Sequence, residues 1–152
     1  MENVVLVSLC LLGTSCRYDG GDNAAPGIGR LMGRCRLIPV CPEQLGGLPT
    51  PRTPSERRGD RVVTRDGGDV TAAFERGANE ACRLARFFGA RYALLKARSP
   101  SCGTGVIYDG SFTDTRVPGD GVTAERLRAM GLQLYDETQI DALIQALEDD
   151  NR

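Results

Sequence analysis

Three cysteines stand at or just past the ends of short apolar runs, and each opens a polar loop. They are Cys10 after Val5-Leu6-Val7-Ser8-Leu9, Cys41 after Leu37-Ile38-Pro39-Val40, and Cys102 in Ser99-Pro100-Ser101-Cys102-Gly103. The place where strands end and loops begin is where an α/β fold puts its ligand crevice. Three thiols converging there could hold a soft metal centre and leave one coordination position free for a substrate. Histidine is absent from the chain, which excludes Ser-His-Asp and Cys-His catalysis and every zinc site that needs imidazole. Thiolates alone leave zinc, Cu(I) or an iron–sulfur cluster. A closed zinc site would take Cys16 as its fourth ligand. A four-iron cluster on three cysteines would keep one iron open as a Lewis acid for a soft donor such as sulfur. Spacing alone does not decide, because the six cysteines form no C-x-x-C pair and no ferredoxin-type run. Cys35, at the start of a strand, and Cys82, within a helix, read as small buried hydrophobes.

Other chemistry-bearing residues crowd the same loops. Glu43 lies two residues past Cys41, where a carboxylate can move protons or brace the loop. Ser99 and Ser101 flank Pro100 beside Cys102, and can orient a substrate or satisfy a turn. Arg17-Tyr18-Asp19-Gly20-Gly21 and Pro51-Arg52-Thr53-Pro54 bring guanidinium groups and an aromatic ring suited to a carboxylate, a phosphate or a polar heterocycle.

The elements that must position these residues alternate between strand and helix. Val4 to Leu9, Arg36 to Val40, Tyr92 to Leu95 and Leu132 to Tyr135 read as strands, the first a buried central one and the second an edge because of Pro39. Arg61 to Thr64 reads as a small strand, and a small hairpin is expected around Val106 to Tyr108. The clearest helix is capped by Asp69 or Thr71 and closed by Gly89, with Val70, Phe74, Ala78, Ala81, Leu84, Ala85 and Phe88 on one apolar face. Ile28 to Met32, Thr123 to Met130 and Thr138 to Leu147 read as further helices, with Glu148 to Arg152 frayed. Gly13 to Gly29, Gly46 to Asp60 and Thr104 to Gly121 read as loops. The pattern predicts one α/β domain over residues 1–152, Rossmann-like, with a mostly parallel sheet and long loops at the strand C-terminal ends. Loops this long in a small domain are usually functional.

The totals fit an ordinary soluble protein. The 152 residues are 41% hydrophobic and 26% charged, with a net charge of -1, so no bulk field attracts nucleic acid or an acidic membrane. Lys96 is the only lysine among 19 basic residues, a bias that GC-rich coding accounts for. No basic residue precedes the apolar stretch from Val4 to Leu12, which Gly13, Thr14 and Ser15 interrupt, so it reads as a strand and not a signal peptide. No run approaches a membrane span. The expectation is a cytoplasmic protein with reduced cysteines, monomeric or homodimeric.

Several segments together resemble the bacterial family known as domain of unknown function 523, which is similar to thiouracil desulfidases. They are Ser8-Leu9-Cys10-Leu11-Leu12-Gly13, Arg17-Tyr18-Asp19-Gly20, Pro39-Val40-Cys41-Pro42-Glu43, Pro51-Arg52, Gly68-Asp69-Val70-Thr71, Lys96, Ser99-Pro100-Ser101-Cys102-Gly103 and Tyr108-Asp109-Gly110. The resemblance implies a [4Fe-4S] cluster held by Cys10, Cys41 and Cys102, with Cys16 outside it. It places the acid/base carboxylate at Glu43 and a catalytic hydroxyl at Ser99 or Ser101. The implied substrate is a small thiolated nucleobase such as 2-thiouracil. Its sulfur binds the open iron, water activated by Glu43 attacks the adjacent carbon, and sulfur leaves as hydrosulfide without net redox change. Two other functions stay open: a cluster protein that binds or carries sulfide without desulfidation, and a structural zinc–thiolate protein.

Overall fold

The computed structural model describes residues 2–151. β1 (Val4–Ser8) pairs in parallel with β2 (Arg36–Val40) on one side. After β2 the chain makes the short helix α1 (Pro42–Leu45), then β3 (Ser55–Arg58), β4 (Arg61–Thr64) and the long helix α2 (Thr71–Phe88). β5 (Tyr92–Leu95) returns to pair in parallel with the other side of β1. A second ribbon, β6 (Val106–Tyr108) with β7 (Arg116–Pro118), precedes α3 (Val122–Ala129), β8 (Gln133–Asp136) and α4 (Ile140–Asp150). The central sheet runs β2-β1-β5-β8, all parallel. Pro39 therefore sits on an edge strand, where a missing N–H costs no ladder bond.

Alternation along each strand divides the core in two. Val5, Val7, Tyr92 and Leu94 face Leu143, Ile144 and Leu147 of α4. Leu6, Val40, Ala93 and Leu95 face Ala81, Cys82 and Ala85 of α2 and Ala124 and Leu127 of α3. Covering both faces is what lets the strands be apolar at successive positions. Because all four strands run the same way, the segments that follow β1, β2 and β5 and carry Cys10, Cys41 and Cys102 leave the sheet at one end.

α2 ends as its sequence directs, but its start differs. The N-cap is Val70, which has no side-chain cap, while Asp69 one residue earlier accepts the Thr71 N–H at 2.9 Å and Thr71 Oγ1 accepts from Val62 N; Gly89 closes the helix with a left-handed φ of 69°. Hydrogen bonds from Thr71, together with Arg61, hold the Asp69 carboxyl down to about 2. A carboxylate depressed in this way stabilises the fold above its unfolded value, about 3.9, and that contribution is lost as pH falls through the folded value. Asp69→Asn should therefore lower Tm at neutral pH and flatten the fall in Tm between about pH 4 and 2, followed by circular dichroism.

Four local readings differ from the structure. Ser55–Arg58 is a strand and not loop, paired antiparallel with β4 across Gly59 and Asp60. α1 was hidden in the stretch after Cys41. Phe88 is exposed, edge-on to Phe87, and lies off the inner face. α4 does not fray at Glu148: Tyr92 donates to Asp150, Arg91 pairs with Asp150 and Arg34 pairs with Glu148. No helix among the described residues is long and apolar enough to cross a membrane.

Candidate metal and substrate site

A cavity of about 430 Å³ opens at the C-terminal end of the sheet, lined by Cys10, Cys16, Cys41 and Cys102 together with Glu43, Lys96 and Ser99. Each thiol is placed by a different local device. Cys10 lies in the 3-10 turn that follows β1, where its carbonyl accepts from Gly13 N and Asn23 N and its thiol meets the Asn23 side chain. Cys41 leaves β2 directly and stands at the N-terminus of α1, with Pro42 in the first helical position.

α1 is held close against α2 by two glycines. A Cβ on Gly77 would lie 1.8 Å from the Pro42 carbonyl oxygen, and one on Gly46 would lie 2.0 Å from that of Ala73. Gly77 is thus an obligatory close approach and not a mere propensity loss within the helix. Gly77→Ala should push α1 outward, carrying Cys41 and Glu43 with it. Overpacking costs about 1–3 kcal/mol, so Tm should drop by roughly 5–10 °C despite alanine's better helix propensity, and the purified protein should hold less iron.

Cys102 owes its place to α3 more than to β5. The first N–H groups of α3 have no helical partner, and the Ser-Pro-Ser-Cys turn supplies their acceptors. Val122 N donates to Pro100 O, and Thr123 N and Ala124 N donate to Ser101 O. Ser101 does not line the cavity. Its hydroxyl shares a 2.8 Å hydrogen bond with buried Thr123, so the side chain pins the turn to α3. Ser99 does line the cavity. Its Oγ accepts from Ser101 N at 3.1 Å and Cys102 N at 3.0 Å, which occupies both lone pairs and leaves its O–H as a donor.

Burial pushes the Cys10, Cys16 and Cys102 thiols upward, Cys16 to about 12, and their mutual repulsion with Cys41 adds to the effect. Cys16 is 2% exposed, and the neighbouring Cys41 thiol adds to the upward push on its own. Thiolates gathered in so dry a place need a cationic centre to hold them deprotonated. The donor set is soft and free of imidazole, which suits iron–sulfur chemistry. Among the described residues no three cysteine or acidic side chains close around one metal ion.

Two partly buried ion pairs flank the thiols. Arg52 Nε donates to Glu43 Oε1 at 3.0 Å, and its Nη2 donates to Cys16 O at 2.9 Å, bracing the loops that carry both residues. Their side chains are 7% and 18% exposed. On the other side Lys96 pairs with Glu137 at 2.6 Å. Arg17 packs over the Tyr18 ring at the rim, where both line the cavity. The β3–β4 and β6–β7 ribbons form the outer wall and are joined by Glu56, whose Oε1 accepts from Gly110 N and Phe112 N. Among the described residues, the non-glycine positions with left-handed backbone are Arg98, Phe112 and Asp114, and all three line this cavity. Such conformations persist where the surroundings over-determine them, commonly at functional sites.

Glu137 and Asn23 carry no motif, and their part in the site comes only with the fold. The lone lysine was a visible signal for Lys96.

Comparison with known proteins agrees with this geometry. The family model described as 2-thiouracil desulfurase matches residues 5–139. An uncharacterized protein of Bacillus subtilis (strain 168), YbbK, is 36% identical over 151 residues, covering 93% of this chain and 100% of its own length. A solved structure of the [4Fe-4S]-dependent thiouracil desulfidase TudS is 46% identical and superposes with a TM-score of 0.92, covering 97% of this chain and 99% of that one. With its fold, its thiol-lined cavity and these matches along nearly its whole length, the chain belongs to the 2-thiouracil desulfurase family.

Proposed function

We propose that this protein is a [4Fe-4S]-dependent desulfidase that exchanges the sulfur of 2-thiouracil, or of a related thiolated nucleobase, for the oxygen of water. The observation that carries the reading is the convergence of Cys10, Cys41 and Cys102 with Glu43 on one cavity. The name of the 46% identical neighbour supports the cofactor and the substrate class. Cys10, Cys41 and Cys102 hold the cluster, and Cys16 stays outside it. When bound, the cluster supplies a Lewis-acidic iron to the substrate's sulfur.

The chain's own residues do the proton chemistry. Glu43, steadied through Oε1 by Arg52, takes a proton from water as the oxygen attacks the carbon bearing sulfur. The carbon–sulfur bond breaks as Glu43 returns its proton to the departing sulfur, and the added oxygen gives up its second proton to Glu43 as the carbonyl forms. Water and thiocarbonyl become carbonyl, hydrosulfide and a proton, with no electrons gained or lost. Ser99, with only its O–H to give, orients water or substrate as a donor. Ser101 acts at a distance, by fixing the turn.

The test is anaerobic. Protein reconstituted with iron and sulfide is counted for both and incubated with excess 2-thiouracil. Uracil and sulfide released in equal amounts over many turnovers support the reading. Sulfide retained at one per chain with no uracil would instead make the protein a sulfide carrier.

A further inference from the structure

The chain's only lysine stands in the wall of the thiol cavity. Every other basic side chain is arginine. A coding bias explains the arginines and makes the exception informative, since a position content with either cation would be expected to carry arginine too. Lys96 follows β5 directly, and its backbone N–H donates to Ser8 Oγ at the end of β1 at 3.0 Å. Its Nζ donates to Glu137 Oε2 at 2.6 Å, while Glu137 Oε1 accepts from Ala97 N at 2.7 Å. Glu137 follows β8, so the pair ties together the ends of two neighbouring strands. Lys96 lines the cavity and Glu137 stands behind it, outside the lining.

An ammonium has three donors in tetrahedral directions. Glu137 takes one, and among the described residues the Nζ has no other hydrogen-bond partner, which leaves two for whatever enters the cavity. A guanidinium behaves differently. It would lie flat in a forked pair with the Glu137 carboxylate and extend into the space that the shorter head leaves open. The sheet order sets Glu43 at the β2 end and Lys96 at the β5 end, with Cys10 after β1 between them. A proton-moving carboxylate and a fixed cation thus face each other across the thiols.

We propose that Lys96 is a substrate-binding residue, whose ammonium donates to a ring oxygen or ring nitrogen of the thiolated base and holds the negative charge the ring gains as water attacks. This rests on the desulfidase reading above. Lys96→Met and Lys96→Arg test it, each loaded anaerobically. Three quantities are read: iron and sulfide per chain, kcat and KM with 2-thiouracil, and the dissociation constant for 2-thiouracil by anaerobic equilibrium dialysis in a Glu43→Gln background. Iron and sulfide should match those of the parent. Losing a charged hydrogen bond should weaken binding about 10- to 100-fold in Lys96→Met, and Lys96→Arg should lose at least about tenfold with kcat falling in step. A dissociation constant and kcat within about twofold of the parent in Lys96→Arg would overturn the proposal. So would a loss of iron parallel to the loss of activity, which would make Lys96 part of the cluster's hold. If the parent protein releases no uracil, the desulfidase reading fails, while the dialysis still reports whether Lys96 binds the base.

Discussion

Cys102→Ala is expected to give a folded, colourless protein. The thiol lies deep, 5% exposed, and no other side chain depends on it for a hydrogen bond among the described residues. The backbone around it is fixed by Ser99 and by the N-terminus of α3, neither of which needs the sulfur atom. Removing that atom costs about 1 kcal/mol of packing, so far-UV circular dichroism and Tm should stay close to the parent's. Iron content, visible absorbance and desulfidation should all vanish, because a cluster already one cysteine short of closure cannot spare another. Cys82→Ala is the control. That residue is equally buried but packs among Ala81, Ala85 and Leu127, away from the cavity, and its loss should leave iron and activity intact. Full iron content in the Cys102 variant would refute the ligand assignment.

Glu43→Gln should separate the cofactor from the chemistry. The amide oxygen still accepts from Arg52, so the brace to Cys16 O and Thr50 is kept. Iron content and Tm should therefore match the parent's. In the mechanism proposed above, what disappears is the ability to take a proton from water, and kcat should fall by about 10²- to 10⁴-fold with KM changed far less. The contrary result, unchanged kcat with a lowered Tm, would mean that Glu43 serves only as the acceptor that holds Arg52 in its loop.

The sheet and the thiol crevice could be read from the chain because both rest on local pattern. Val4–Ser8 and Tyr92–Leu95 are apolar without interruption, and α2 repeats its small residues at helical spacing. β3 could not be read in the same way. Its Ser-Glu-Arg-Arg sequence has no apolar residue to alternate, and it is a strand only because its backbone pairs with β4. α1 is four residues long, too short for any period, and its best clue was Pro42 in the first turn. The end of α4 depends on Arg34, Arg91 and Tyr92, all remote in sequence. At the site, Cys41 follows its strand as the pattern suggests. Cys102 lies seven residues beyond β5 and is placed by a helix start further along the chain. Residue type could not separate Ser99 from Ser101, and hydrogen bonding does. One faces the cavity and the other is spent on Thr123.

The Gly46–Gly77 contact has a further bearing. Together with the acceptors that the Ser-Pro-Ser-Cys turn offers to α3, it positions the segments that carry Cys41 and Cys102 through backbone contacts. The placing of those two thiols is therefore a matter of how closely main chain can approach main chain, so that a single methyl group far from any thiol is enough to disturb it.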